Sequence, residues 1–352
     1  MAIGVFGLQV AYRLKRLEVM STTNTHGWFG GGATPAQVST VDRIDFSNET
    51  GTANIRGPLL TARSTLAATG NSNYGWFGGG FVPGPVSTVD RIDFSNDSSS
   101  ASPRGPLSSV RYGPAATGNS NYGWFGGGII VSSTSRVDRI DFSNDSATAS
   151  PRGLLSSARY GSAATGNSNY GWFGGGDNGN PSTIATIVRI DFSNDSPTTS
   201  IRGPLSSARK QSAATGNSNY GWFGGGLVPA AVSTIDRIDF SNDLVQVSTR
   251  GPLSSVRYKS SATGNSNYGW FGGGATGVPI VSIVNRIDFS NDSVSVSSRG
   301  LLSSPSPSPS GRSASAAASG QAKGPAIKLA KTGGYGWFGG GNTFPNPVVA
   351  TV

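Results

Sequence analysis

The chain has 352 residues, of which 52 are Gly and only 13% are charged, whereas an average protein has about 7% Gly and about 25% charged residues. This composition excludes a helical bundle and a highly charged disordered chain. The absence of Cys excludes disulfides, thiolate metal sites and a Cys nucleophile, and the single His, His26, excludes a site that needs two imidazoles.

The formal net charge is +9, which would suggest a nucleic-acid partner if the excess were clustered. Residues 63–256 carry fourteen Arg and Lys against twelve Asp, a difference of only +2. Most of the remaining excess lies near the two ends, at residues 1–20 and at residues 312–331. Because alternating Arg and Asp cannot neutralise a row of phosphates, we expect no specific nucleic-acid binding.

No segment reaches the length of about 18 apolar residues that a membrane helix needs. The apolar stretch at residues 2–12 is short, and its basic residues follow it, whereas a secretory signal has its positive charge first. We therefore expect neither a signal peptide nor membrane insertion, and synthesis in a cytoplasm.

One sequence unit recurs along almost the whole chain. The Trp of the phrase Trp-Phe-Gly-Gly-Gly recurs at spacings of 48, 48, 48, 50, 48 and 67 residues. Six of these phrases are followed by Arg-Ile-Asp-Phe-Ser-Asn. A period of 48 residues is typical of the blades of a β-propeller.

Each unit contains four short segments separated by turn signals, a pattern that predicts four antiparallel strands. In residues 63–107 these are a small-residue strand near 64–69, an aromatic strand at 74–77, an alternating strand at 87–94 and a last strand at 100–104. Trp76 and Phe77 are consecutive, so we expect their rings to face the two neighbouring units. The paired Ala67 and Ala68 suit a strand beside a central channel.

The unit resembles the kelch family of β-propellers. The resemblance rests on Arg63, the small apolar strand, the aromatic strand ending in Gly78-Gly79, and the strand that ends near Asp93. It covers most of residues 19–300 and departs from the family in the last strand, where kelch units usually have a Trp. The phrase Asn-Ser-Asn-Tyr-Gly-Trp-Phe-Gly-Gly-Gly also resembles glycine-aromatic repeat proteins of aquatic phages and bacteria, which are described as structural or tail-fibre-like.

These observations predict an all-β, kelch-like propeller of four-stranded antiparallel blades that forms a single domain over residues 1–352. Seven aromatic strands predict seven blades, six complete repeats and a closing blade to which residues 2–12 could add a strand. The Ser/Pro/Ala-rich residues 301–334 are interpreted as an insertion or disordered loop within the last blade, or as a reading-frame slip in the gene.

The loop between the second and third strands differs in every copy, whereas the turns on the opposite face are nearly uniform. Two explanations remain open for this variety: recognition by loops on a rigid scaffold, or drift in loops that only need to turn. On the first explanation, the candidate binding residues in these loops are Phe81, Val82, Ile129, Ile130, Asp177, Asn178, Leu227 and Val228.

An Arg opens the first strand of each of five units, at the same face as the variable loops. In kelch propellers that recognise acidic peptides, Arg residues at this place line the channel mouth. The resemblance therefore implies carboxylate or acidic-sugar binding by Arg63, Arg111, Arg159, Arg209 and Arg257; the alternative is structural pairing with blade Asp residues or carbonyls.

Catalytic chemistry finds little support in the sequence. The recurring Arg and Asp two residues apart, such as Arg91 and Asp93, favour structural ion pairs or turn bonds, because one catalytic centre would not need six copies. No catalytic residue, metal ligand or cofactor is predicted. We expect a non-catalytic binding or structural module, associated with a virion or cell surface, that contacts a protein or glycan partner through the variable loops. The alternative is a soluble kelch-type sugar-converting enzyme, a lyase or mutarotase.

Overall fold

The computed structural model describes residues 25–34, 36–179, 183–277, 279–303, 312–319, 339–341 and 349–351. Within these residues all regular structure is β-strand. Six four-stranded antiparallel sheets, blades I to VI, form a closed ring, and their strands are called A to D from the centre outwards. The strands are, for blade I, Ala316–Ser319, His26–Gly30, Val41–Asp45 and Asn54–Arg56; for blade II, Ala67–Gly70, Tyr74–Gly78, Val89–Asp93 and Ser102–Arg104; for blade III, Ala115–Gly118, Tyr122–Gly126, Val137–Asp141 and Ser150–Pro151; for blade IV, Ala163–Gly166, Tyr170–Gly174, Ile187–Asp191 and Ser200–Arg202; for blade V, Ala213–Gly216, Tyr220–Gly224, Ile235–Asp239 and Ser248–Arg250; and for blade VI, Ser261–Gly264, Tyr268–Gly272, Ile283–Asp288 and Ser297–Leu301.

Three two-stranded hairpins complete the regular structure of the described residues. They are Ala33–Thr34 with Ala36–Gln37, Leu227–Val228 with Ala230–Ala231, and Gly339–Gly341 with Val349–Thr351. The first two lie in B–C loops, and the third belongs to the seventh aromatic phrase.

The propeller has six blades, and the prediction of seven is wrong. Strand A of blade I is Ala316–Ser319, which pairs antiparallel with His26–Gly30 and so joins the two ends of the ring within one blade. The innermost strand of blade I contacts those of both blade II and blade VI. With the ring closed at six, the hairpin from the seventh phrase is left outside the blades. Residues 2–12, the expected closing strand, lie outside the described residues.

Part of the segment interpreted as an insertion belongs to the propeller. Residues 312–319 supply the Arg and the inner strand of blade I, since Arg312 is followed by small residues as Arg63 is before Ala67–Gly70. Residues 304–311 and 320–334 lie outside the described residues, so the interpretation of them as an inserted loop stays a prediction.

Aromatic rings fill the space between neighbouring blades, as expected from the Trp-Phe pair. Trp76 of blade II packs towards blade III against Phe125, whereas Phe77 packs towards blade I against Trp28. Each of the six Trp rings in the blades also stacks on a Phe of the next blade, as Trp76 does on Phe142 with ring centroids 3.8 Å apart. Burying one such ring removes about 150–250 Å² from water, on the order of 4–6 kcal/mol before the entropy of ordering is subtracted. Because a single blade could bury neither ring, the aromatic pair holds the blades in a ring.

A buried acid ties each blade to the one before it. Asp145 of blade III accepts a hydrogen bond from the indole Nε1 of Trp76 at 2.8 Å. Its carboxylate also forms an ion pair with Arg91 of blade II at 3.0 Å. Arg104, on the outer strand of blade II, lies 3.4 Å from the same carboxylate. At the other junctions the acids are Asp97, Asp195, Asp243, Asp292 and, where the ring closes, Glu49.

These contacts revise the partners inferred for the repeated Arg and Asp. Arg91 pairs with Asp145 across the blade interface, whereas Asp93 accepts hydrogen bonds from the backbone and side chain of Ser95 in its own turn. The prediction that both residues serve the structure is confirmed, with an ion pair for Arg91 and a turn bond for Asp93. The ion-pair partner is a residue 54 positions away, which the spacing of two did not indicate.

Candidate binding face

The loops between strands B and C emerge together on one side of the ring. Each begins with a residue that bridges to the residue after the buried Arg of the same blade, as Phe81 does with Ser64 through two backbone hydrogen bonds of 2.8 and 3.1 Å. We call this side, formed by the B–C loops and the residues that precede each strand A, the variable face. The bridges bring together two sets of residues that are far apart in the repeat and that both differ from copy to copy.

The arginines that open the first strands are fully buried, contrary to the binding role that the kelch resemblance implied for them. The side chains of Arg63, Arg111, Arg159, Arg209 and Arg257 have no solvent exposure, and neither has Arg312. Arg63 donates to the carboxylate of Asp90 at 2.8 Å and to the carbonyl oxygen of Phe77 at 3.0 Å. The structural alternative, pairing with blade aspartates and carbonyls, matches this geometry, and these guanidinium groups do not reach the surface.

Two of the six arginines lack the aspartate. At the position of Asp90, blade IV has Val188 and blade VI has Asn285. Arg159 of blade IV donates instead to the carbonyl oxygen of Thr186 at 2.9 Å and to the hydroxyl of Ser157 at 2.9 Å. Burial without a carboxylate lowers the pKa of Arg159 to about 10 and that of Arg257 to about 10.

A ring of backbone hydrogen bonds lies at the centre of the variable face. One residue from each blade donates its N–H to the carbonyl oxygen of the equivalent residue in the preceding blade, at 2.5–2.9 Å. All six have positive φ, although only two of them are Gly. The ring consists of Thr65, Gly113, Gly161, Gln211, Lys259 and Ala314. Non-Gly residues in this conformation are uncommon and persist where the surroundings fix them, so the ring holds the mouth of the channel in one shape.

Aromatic and charged side chains surround this ring. A cavity of about 110 Å³ opens above it, and Tyr112, Tyr160 and Lys259 are among its lining residues. Tyr112 makes an edge-to-face contact with Phe81, with ring centroids 5.4 Å apart. Tyr258 follows the buried Arg of blade VI, and the centroid of its ring lies 5.7 Å from the Nζ of Lys259. The mouth thus combines flat apolar rings with a few polar groups, which is the usual composition of a ligand pocket.

The structure places the predicted loop residues around this mouth in three blades. Phe81 and Val82 lie in blade II, Ile129 and Ile130 in blade III, and Leu227 and Val228 in blade V, all half-buried. The neighbouring Val131 is 95% exposed. The apolar surface is therefore interrupted and partly packed against the blades, and not one continuous exposed patch.

Asp177 of blade IV forms the strongest polar contact of the face. Its carboxylate lies 2.6 Å from the Nζ of Lys210 and 3.5 Å from the hydroxyl of Tyr160. Burial acts to raise the pKa of Asp177, but hydrogen bonds from Lys210 and from the backbone N–H of Gly179 outweigh it, so the pKa is lowered. Asn178 follows at the exposed tip of this loop. Asp177 is itself buried and paired with Lys210, so none of the predicted binding residues presents an unpaired charge to solvent.

Sequence reasoning missed Tyr112, Tyr160, Lys210, Tyr258 and Lys259. They stand one or two positions after the buried Arg, in a segment that was assigned to the first strand because of its small residues. A signal was available, since these two positions vary between copies while the Arg before them and the Ala pair after them recur. Only the bridges to the B–C loops reveal that both variable segments meet at one mouth.

The described residues contain no group of three or more His, Asp and Glu side chains placed to hold a metal ion. Nor does the described part of the chain include a helix that is long and apolar enough to cross a membrane. Behind the mouth, the inner strands enclose a second cavity of about 80 Å³, lined mainly by Ala and Thr. This agrees with the expectation that the paired alanines lie beside a central channel.

The fold and the mouth define this chain as a six-bladed β-propeller with a variable face. No protein-family model matches the chain, and no curated protein matches it in sequence. Among solved structures, one described as "Structure of YjhT" is similar to it, with a TM-score of 0.65, 13% sequence identity, and coverage of 78% of this chain and 95% of that chain. At this level of identity the likeness establishes the fold, and a propeller fold supports many unrelated functions.

Proposed function

We propose that this propeller is a non-catalytic binding or structural module that contacts a protein or glycan partner through the variable face. The observation that carries the proposal is the convergence of both variable segments on one mouth. The buried Arg, the Trp-Phe pair and the inter-blade acids recur in every blade because the ring needs them. The side chains that differ lie in the B–C loops and just after the buried Arg, and Tyr112, Tyr160 and Lys259 of the second group line the cavity.

The chemistry of the mouth supports a partner with both apolar and polar groups. Tyr side chains offer a large rigid surface at a low entropy cost and a hydroxyl at the edge, which is why they are frequent in binding surfaces. Lys259 has no carboxylate partner among the described residues and is available to an acidic group of a partner, whereas Lys210 is neutralised by Asp177. A virion or cell-surface setting fits such a rigid display of side chains, in keeping with the tail-fibre-like resemblance of the repeat.

The test is binding of the purified chain to a glycan array and to host surface preparations, with and without about 0.5 M salt. The variant Phe81→Ser/Ile130→Ser/Leu227→Ser should lose partner binding. A matched control is Ile201→Ser/Leu244→Ser/Val294→Ser, because these residues are 63%, 70% and 56% exposed on outer strands and turns. Binding that survives the first variant, or that both variants remove equally, would place the partner elsewhere.

Sugar-converting activity is the second candidate. The observation in its favour is the contact between Tyr160, Lys210 and Asp177, three groups able to exchange a proton within 3.5 Å, of which Tyr160 lines the cavity. Turnover of a reducing sugar that is abolished by Asp177→Asn and kept by the triple Ser variant would favour this enzyme over the binding module.

A further inference from the structure

The side of the ring opposite the variable face carries a groove whose lining residue types recur at other interfaces. This uniform face is formed by the turns between strands A and B and between strands C and D. Between blades II and III it contains a groove of about 330 Å³. Asn71 of blade II lines one side, and Asn121, Tyr122 and Asp141 of blade III line the other.

The same residue types recur at the three following interfaces of the described chain. Tyr and Asp are half-buried and the exposed Asn keeps its place at each of them. The equivalents of Asn71, Asn121, Tyr122 and Asp141 are Asn119, Asn169, Tyr170 and Asp191; Asn167, Asn219, Tyr220 and Asp239; and Asn217, Asn267, Tyr268 and Asp288. Four interfaces therefore present one surface four times.

The fold accounts for some of these recurring residues. Asn71 accepts hydrogen bonds from the backbone N–H groups of Asn73 and Tyr74 at 2.9 and 3.0 Å, which shapes the A–B turn. Asp141 accepts from the backbone and side chain of Ser143 at 2.9 and 2.7 Å, which shapes the C–D turn. Replacing either would disturb a turn, so their recurrence has a structural cause.

The hydroxyl of Tyr122 and the side chain of Asn121 have no such cause. The Tyr122 ring packs edge-on to Trp124 and lies under the guanidinium of Arg139, contacts that a Phe ring could also make. Its hydroxyl has no hydrogen-bond partner among the described residues, and blade I has His26 at the same position. Asn121 is exposed and takes part in one long side-chain contact, 3.4 Å from the hydroxyl of Ser120.

Shared ancestry alone does not explain the uniformity. The two faces belong to the same repeats and arose by the same duplications, yet the B–C loops of the variable face differ in every copy. On the uniform face, in contrast, exposed polar groups that the fold does not require are the same at four interfaces. A requirement other than folding must act on the uniform face.

We propose that the grooves of the uniform face bind a neutral, hydroxyl-rich polysaccharide, with one sugar unit in each groove. The Tyr hydroxyl both donates and accepts, the Asn carboxamide does the same through separate atoms, and the Asp carboxylate accepts. Together they match the paired hydroxyl groups of a sugar. An acidic polymer is disfavoured, because Arg139, the cation that lies over the Tyr122 ring, is tied to Asp195 at 3.1 Å. The hydrogen bonds from Ser143 also lower the pKa of Asp141 and keep this carboxylate charged.

Repetition around a ring supplies the affinity that one shallow groove lacks. A single sugar held by a few hydrogen bonds binds weakly, because each contributes only about 0.5–1.5 kcal/mol. When several grooves engage one polymer, overall binding can exceed that of one groove by about 10²–10⁴-fold. The site therefore requires a ligand that repeats, and a single oligosaccharide unit in solution should bind poorly.

The experiment uses the full chain on an array of neutral and acidic polysaccharides printed at high and low density. The variant Tyr122→Phe/Tyr170→Phe/Tyr220→Phe/Tyr268→Phe removes four hydroxyls that have no partner among the described residues. Its melting temperature should be unchanged, whereas its apparent affinity for neutral polymers printed at high density should fall at least about tenfold. The variant Tyr112→Phe/Tyr160→Phe/Tyr258→Phe makes the same chemical change on the variable face, and neutral-polymer binding that falls in this variant but not in the first would assign the polymer to the variable face and overturn the proposal.

The outcomes separate this site from the proposed function of the variable face. Neutral-polymer binding that depends on density, falls in the uniform-face variant and survives Phe81→Ser/Ile130→Ser/Leu227→Ser supports the grooves. The proposal is overturned if no neutral polymer binds, if binding is equal at both densities, or if the uniform-face variant binds as well as the unmodified chain. Loss of all binding in the variable-face variant alone would leave the proposed function standing and remove this one.

Discussion

The buried Arg159 of blade IV offers the sharpest test of how the ring is stabilised. Its counterparts Arg111 and Arg209 pair with Asp138 and Asp236 at 2.6 and 2.9 Å, whereas Val188 stands opposite Arg159. Lowering the pKa of Arg159 from its ordinary value to about 10 corresponds to about 3 kcal/mol against the charged form. Since Arg159 is charged at neutral pH, this free energy opposes folding below pH about 10.

The variant Val188→Asp should recover part of this free energy. Arg159 can donate hydrogen bonds to the new carboxylate. Because Arg159 is already buried in the unmodified chain, only the carboxylate adds a new cost of desolvation. The net gain we expect is about 1–2 kcal/mol, or a rise of about 2–8 °C in melting temperature. Thr199 now accepts the backbone hydrogen bond of Ser156 at 2.9 Å that an aspartate would accept, so Val188→Asp/Thr199→Ala would rebuild the arrangement of blade III.

The assay is thermal unfolding followed by Trp fluorescence, with Asp138→Val as the reciprocal variant. Leaving Arg111 buried without its carboxylate should destabilise the protein by about 3–5 kcal/mol. The gain from Val188→Asp should also shrink above pH about 10, where Arg159 loses its proton in the folded state of the unmodified chain. A melting temperature that falls with Val188→Asp, while Asp138→Val changes nothing, would refute the view that the carboxylates stabilise these arginines.

Three further predictions test the architecture. Truncation after Ser319 should leave a folded six-bladed ring, whereas truncation after Ser315 removes the strand that closes blade I and should lower the melting temperature by at least about 10 °C. Equal melting temperatures of the two truncated chains, measured by circular dichroism, would contradict closure at six blades. Asp195→Ala removes the acceptor of Trp124, Arg139 and Arg152 and should cost about 3–5 kcal/mol, measured by chemical unfolding; a loss below about 1 kcal/mol would show that the inter-blade acids are dispensable. Gly123→Ala places a Cβ 2.5 Å from Thr69 and 3.0 Å from Phe142 and should lower the free energy of unfolding by about 1–3 kcal/mol. Gly51→Ala, with open space around the new Cβ, should leave the free energy of unfolding unchanged in the same assay. A larger loss for Gly51→Ala than for Gly123→Ala would contradict the packing described.

The blade itself could be derived from the sequence because its signals are local. Turn residues, a consecutive Trp-Phe pair and period-2 alternation all lie within about 45 residues, and the strands at Tyr74–Gly78 and Val89–Asp93 form where they were predicted. The number of blades was wrong because it is not a local property. It depends on whether Ala316–Ser319 or a later segment reaches His26–Gly30, and on how six rather than seven interfaces close.

The candidate site divides in the same way. Variation among the copies located the B–C loops, and these do lie around one mouth. The roles of the arginines could not be predicted from the sequence. An Arg at the start of a strand has the same local sequence whether its side chain points to solvent or forms a buried ion pair, as Arg63 does with Asp90. The kelch resemblance implied the exposed role, and the burial of all six arginines in this ring favours the other.

The sequence by itself determined the all-β class, the four-stranded unit, the pairing of Trp and Phe with opposite neighbours, and the division into a variable and a uniform face. All of these depend on residue types and spacings within one repeat. Only the tertiary structure decided the closure at six blades, the inter-blade partner of Arg91, the burial of the arginines and the convergence of Tyr112, Tyr160 and Lys259 on the mouth. These features depend on contacts between residues far apart in the chain. Because every repeat contains nearly the same residues, no local pattern specifies which repeat supplies the partner of a given side chain.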